Sequence, residues 1–150
     1  MIPLERKGWK NSGWGKETYF FPVNQGYASS STDLVYLPMG GSQSEQTTPG
    51  AATVQFIPPN SGRLHSLTLY SDSGTAPGST VITLYDNNAS AVLATKTVTI
   101  PSQSVLNVDF TQGLDSGNPR FDGVGSVAIG LDVTNGVGNL DFEAVFEVDK

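Results

Sequence analysis

His65 is the only histidine in the chain, and it lies inside the apolar run RLHSLTLYS. A nucleophilic triad would need a marked nucleophile and a group to orient the ring, and neither accompanies it. Asp141, Glu143 and Glu147 are a second candidate, since a glycosidase uses two facing carboxylates, one of them held protonated by burial. Residues two apart on a strand are about 7 Å apart, so distance alone allows it. Their alternation with apolar residues instead describes the wet side of a strand, where charges collect. Asp115, Asn118 and Asp122 share the segment TQGLDSGNPRFDG and could offer oxygens to Ca²⁺. Their spacing is not that of an EF-hand loop, and Asp and Asn also serve turns through their own backbone bonds. There is no G-x-S-x-G elbow, P-loop, H-E-x-x-H or dinucleotide fingerprint. The expectation is a protein that is not an enzyme and holds neither cofactor nor metal.

The other chemistry-bearing residues crowd the beginning of the chain. Residues 1–16 carry Arg6, Lys7, Lys10 and Lys16 against Glu5 alone, a leader of +3 in front of a body of −9. Trp9, Trp14, Tyr19, Phe20 and Phe21 accompany them without apolar periodicity. Such a segment builds no core and reads as an arm that lays cations and rings on another surface. Arg6, Lys7, Trp9, Lys10, Trp14, Lys16, Tyr19 and Phe20 are therefore the expected partner-binding residues. The charges favour an acidic protein over a neutral sugar, because exposed cations gain little from a neutral glycan. Trp9, Trp14 and Tyr19 could equally stack on sugar rings or pack back onto their own domain.

What must position this arm is an all-β body. The chain of 150 residues fits one domain, and Leu, Ile, Val and Phe supply 38 of them, enough for a core. Gly- and Pro-rich turns separate short alternating runs, and no window keeps helical spacing. In NLDFEAVFEV, Leu140, Phe142, Ala144, Phe146 and Val148 fall on one face, and a one-residue slip would bury three carboxylates. SVAIGLDV puts Val127, Ile129, Leu131 and Val133 on one side and Ala128, Gly130 and Asp132 on the other. The Asn135-Gly136 signal between these two runs predicts a hairpin. A second hairpin is expected of STVITLYD and AVLATKTVTI around DNNAS. SVLNVDF directs Leu106, Val108 and Phe110 inward, RLHSLTLYS aligns Leu67 with Leu69, ATVQFI pairs Val54 with Phe56, and DLVYL opens the sheet. Seven or eight strands at this spacing describe an antiparallel β-sandwich of jelly-roll type, with an arm at 1–30 and the sandwich at 31–150.

The absence of cysteine means that the fold needs no oxidising compartment. Charges at Glu5, Arg6 and Lys7 and the lack of a long apolar run argue against a signal peptide or a membrane span. An acidic body argues against wrapping nucleic acid.

The order ATVQFIPPNSGRLHSLTLYSDSG, TVITLYD, VDFTQ and GSVAIGLDVTNGVGNLDFEAVFEVD resembles the small β-sandwich domain of tailed-phage virion proteins, the capsid decoration and fibre-tip type. The resemblance covers about two thirds of the chain. The leader lacks the repeats or coiled-coil stalk of a long fibre, which favours decoration. The resemblance implies a virion protein assembled in host cytoplasm, grouped as a homotrimer on the major capsid protein or another virion protein, with no catalytic residues. Under a carbohydrate-binding reading, the outward rings or the 111–123 loop would meet host glycan.

Overall fold

The computed structural model describes residues 16–25, 34–39, 54–86, 91–135 and 140–150, with the strand at 16–25 given as backbone apart from the exposed Thr18. Among the described residues ten strands form, in chain order: β1 (Lys16–Gln25), β2 (Val35–Tyr36), β3 (Gly62–Ser71), β4 (Gly78–Asp86) and β5 (Ala91–Ile100), then β6 (Val105–Asp109), β7 (Ser116–Gly117), β8 (Arg120–Phe121), β9 (Val127–Val133) and β10 (Leu140–Asp149). All strand pairs are antiparallel. One sheet runs β1-β10-β3-β6 with β8 also on β3, and the other runs β2-β9-β4-β5-β7. Set aside β7 and β8, and the eight remaining strands interleave between two four-stranded sheets in jelly-roll order. The expected fold class is the one the chain adopts.

Alternation builds the core as anticipated for β10, where Leu140, Phe142, Ala144, Phe146 and Val148 are all buried. Opposite them lie Val127, Ile129, Leu131 and Val133 of β9, with Ile82 and Leu84 of β4. Phe146 is fully buried and its ring lies 4.8 Å from that of Phe56 and 6.0 Å from that of Phe121. Fully burying one such side chain contributes about 1.5–3 kcal/mol, so this interior supplies most of the drive to fold.

Two departures from strict alternation have local causes. Leu64 and Leu67 both face the core although an odd number separates them. On β10, Val145 and Phe146 are adjacent, yet they pair with Ser66 and Leu64. His65 is thus the extra residue of a β-bulge, which resets the phase of β3. Likewise Leu84 and Tyr85 pair with Ala94 and Val92, which leaves Leu93 as the bulged residue of β5.

The hairpin expected between β9 and β10 does not form. β9 pairs β2 and β4 in one sheet, while β10 pairs β1 and β3 in the other. The chain therefore changes sheet between β9 and β10 instead of reversing within one. Thr134 and Asn135 donate their N–H groups to Ser79 and Pro77 at the start of β4, which ties the end of β9 to the wrong sheet for a hairpin. The hairpin of β4 and β5 does form. The run DLVYL holds the short strand β2, whereas ATVQFI contributes only an isolated bridge. Val35 and Tyr36 pair with Leu131 and Gly130, Leu37 donates to Ile129, and Phe56 bridges Val127, so together they line one edge of β9.

Residues 16–25, read from sequence as part of the arm, run as the edge strand β1 along the whole of β10, from Lys16 opposite Asp149 to Gln25 opposite Leu140. Residues 1–15 and 26–33 lie outside the described residues.

Candidate docking pole

The jelly-roll order sends alternate connections to opposite ends of the sandwich. β1 begins, and β10 finishes, at the end that also carries the turns 57–61 and 122–126. Lys16 is opposite Asp149 on β10. The Asp149 N–H donates to the Ser61 carbonyl at 2.8 Å, and Asn60 Nδ2 donates to the Asp149 carbonyl at 3.1 Å. The Asp149 carboxylate accepts from Arg120 at 2.6 Å and from the Ser61 hydroxyl at 2.9 Å. Two residues further in along the strands, Arg63 pairs with Glu147 at 2.7 Å. The first residue of β1 therefore stands beside a turn that three polar contacts to Asp149 hold in place.

The second turn packs against the first. Phe56 and Val127 exchange both backbone hydrogen bonds, at 2.9 and 2.8 Å. Gly123 has φ +82°, and a Cβ on it would fall 2.3 Å from the Asn60 carbonyl carbon, so only glycine permits this approach. The Asp122 carboxylate accepts from the Val124 N–H at 2.8 Å and shapes the turn. The two turns present Ile57 and Val124, 72% and 69% exposed.

Of the residues expected to bind a partner, Lys16, Tyr19 and Phe20 lie on β1, at register positions opposite Asp149, Phe146 and Val145. Arg6, Lys7, Trp9, Lys10 and Trp14 lie outside the described residues.

The residues weighed for chemistry are spread apart. His65 occupies the bulge of β3, where its carbonyl accepts from Phe110 N–H. Glu147 is engaged by Arg63, while Asp141 and Glu143 stand half-buried on the outer side of β10. In the 111–123 segment, Asp115 accepts from the Thr97 hydroxyl at 2.6 Å and Asn118 from the Arg120 N–H at 3.1 Å, so each oxygen serves a neighbouring strand or turn. Among the described residues, no group of three His, Asp or Glu side chains is placed to hold a metal ion. No helix of the described residues is long and apolar enough to cross a membrane.

The same segment bridges both sheets. Asn118 N–H donates to the bulged Leu93 carbonyl, and Leu64 N–H donates to the Pro119 carbonyl. Lys96 of β5 adds a clasp, its Nζ donating to the carbonyls of Asp109 and Gln112 at 2.6 and 2.8 Å. Asp109 beside it accepts from the Thr111 hydroxyl and N–H and from Gln112, which holds its carboxyl below the usual range.

A feature that alternation alone did not reveal is a small apolar cluster on the outer side of β9. Tyr36, Val54 and Ala128 are buried there, with Leu34 and Tyr85 against them. The rings of Tyr36 and Tyr85 are 5.5 Å apart. Gly130 lies beneath them, where a Cβ would come within 2.9 Å of the Tyr85 ring. The small residues Ala128 and Gly130 in SVAIGLDV were the sequence signal, since they leave room for rings on that face.

No family model and no curated protein matches the chain. Similar solved structures are remote. A chain of the virus-like particle of extra small virus from giant freshwater prawn is 11% identical, with 90% of this chain and 79% of that one covered and a TM-score of 0.37. The Tobacco streak virus coat protein is 10% identical, with 91% and 87% covered and a TM-score of 0.43. A Bacillus endospore appendage pilus is 12% identical, with 89% and 84% covered and a TM-score of 0.37. The solved structures that resemble this chain thus include viral capsid proteins with β-sandwich folds, beside one from a bacterial surface fibre.

Proposed function

We propose that this protein is a structural component of a virus particle, a capsid decoration protein of a tailed phage that docks on the shell and is not an enzyme. The observation that carries the reading is the join between two electrical halves: residues 1–15, at +2, precede a body of −8 whose first strand begins at the pole marked by Lys16 and Asp149. The cations of the leader meet shell carboxylates, and Trp9 and Trp14 fill apolar seams as anchors. Grouping as a homotrimer would join three leaders and multiply weak contacts through effective concentration. The capsid-protein likenesses agree with a virion role without carrying it. The carboxylates of the described body support a non-enzymatic reading, because Asp115, Asp122, Glu147 and Asp149 serve structural bonds.

A glycan-binding tip is the weaker reading. Its candidate rings, Trp9 and Trp14, stand in sequence beside Lys7, Lys10 and Lys16, and exposed cations gain little from a neutral glycan.

The test removes residues 1–15 and measures sedimentation with emptied capsids stripped of this protein. The full chain is expected to co-sediment, less so as salt rises, and the truncated chain to stay in the supernatant while remaining folded. Equal binding by both chains overturns the reading.

A further inference from the structure

We infer that the turns 57–61 and 122–126 are a second contact with the shell, an aliphatic ridge that seats in an apolar seam of the same partner protein the leader grips; the inference rests on the docking reading above. Ile57 and Val124 are among the most exposed large apolar side chains of the described residues, and they stand on neighbouring turns at one end of the fold. Isolated exposed aliphatics are ordinary on protein surfaces. These two differ in how firmly they are held. The Phe56–Val127 hydrogen bonds, the packing of Gly123 on Asn60 and Ser61, and the buried Pro58 fix both turns. A rigid ridge loses little conformational freedom on binding, so its apolar area converts to affinity more fully than a mobile one.

The position of the leader says what covers it. Lys16 lies opposite Asp149, whose N–H is bonded to Ser61 at the end of the first turn, so β1 begins two strand spacings, about 10 Å, from Ser61. Trp14 is only two residues upstream of Lys16. A surface gripped by this end of the leader is held against the ridge at high local concentration. The occupant is thus a protein surface with an apolar seam bordered by carboxylates, the seam taking Ile57 and Val124 and the border taking the leader's cations. The opposite end of the sandwich has Val105, 60% exposed on β6, and β1 does not begin there.

The experiment compares the full chain, the double variant Ile57→Asp/Val124→Asp and the control Val105→Asp for binding to emptied capsids. Thermal melts check that all three are folded, as exposed positions should allow. The double variant is expected to bind about tenfold or more weakly, and the control to bind like the full chain. Equal binding by the double variant overturns the ridge while the leader reading stands. Failure of the full chain to bind removes both. A photoreactive p-benzoylphenylalanine at position 124 gives an independent readout in the otherwise unaltered chain. The expected product is an adduct with the shell protein. An adduct confined to the chain's own leader, or none at all, overturns the inference.

Discussion

Gly117 lies so close to Leu93 that a methyl group on it would sit 1.9 Å from the Leu93 carbonyl oxygen. Its φ of +79° is also one that side-chain-bearing residues rarely adopt. Leu93 is the bulged residue of β5, and its carbonyl is the acceptor that fixes Asn118. Gly117→Ala must therefore displace β7 from β5 and loosen the segment that joins the two sheets. The expected loss is about 3 kcal/mol, or a fall in Tm of roughly 10 °C. Gly74→Ala is the matched control, since nothing lies within 4 Å of its Cβ position, and its melt should barely move. Differential scanning calorimetry of both variants decides the point.

Tyr36 on the outer side of β9 ionises above the ordinary tyrosine value of 10.0, because burial, and then Tyr85, disfavour its charged form. A raised value in the folded state means that the stabilising contribution is complete below the unfolded value and is lost as pH rises through the folded one. The fold should therefore weaken in alkali, at pH values above about 10. Tyr85→Phe removes the hydrogen bond but leaves the burial. An ultraviolet absorbance titration should then show Tyr36 moving part of the way down. No movement would mean that Tyr85 contributes nothing.

Asp109 works in the opposite sense. Its carboxylate accepts from the Thr111 hydroxyl at 2.6 Å, the Thr111 N–H at 2.7 Å and Gln112 at 3.1 Å, and these bonds lower its pKa. A depressed value gives stability that is present above the unfolded carboxyl range and fades as pH falls through the folded value, below about pH 4. Thr111→Val deletes the strongest of these donors. A carbon-detected NMR titration should find the Asp109 pKa raised toward the ordinary range, with the other carboxylates unchanged.

These relationships divide between what residue order reveals and what it hides. The inward faces of β9 and β10 were legible because strict alternation leaves only one register that keeps carboxylates out of the core. The phase of β3 was only partly legible: Leu67 and Leu69 agree, but Leu64 joins them only because His65 bulges, and a bulge leaves no mark in the hydrophobic pattern. The Asn135-Gly136 signal was read as a hairpin that does not form, because turn chemistry does not say whether the chain returns within its own sheet or crosses to the other. The cluster over Gly130 was hidden because Ala128 and Gly130 read as a bare outer face until Tyr36, Tyr85 and Val54 are seen to cover it. The ridge of Ile57 and Val124 was hidden too, since each residue lies in a turn-rich stretch and only the fold makes them neighbours. In β1, the adjacent rings of KETYFF and the cation Lys16 at its start read as part of a docking arm, and its ladder with β10 is a non-local fact.

That ladder makes the extent of the detachable leader measurable. Deleting residues 1–15 leaves all ten β1–β10 register pairs intact, so the melt should stay within a few degrees of the full chain. Deleting residues 1–25 strips the whole edge from β10 and exposes a long strand whose core face carries Leu140, Phe142, Phe146 and Val148. Unpaired edges of this kind recruit other chains, so the shorter protein should aggregate or unfold at much lower temperature. Hydrogen exchange gives the local readout: amides of 140–149 should remain protected in the first truncation and exchange rapidly in the second. If both truncations melt and exchange alike, residues 16–25 add nothing to the sandwich and belong with the leader, and the attachment point moves from Lys16 to beyond Gln25.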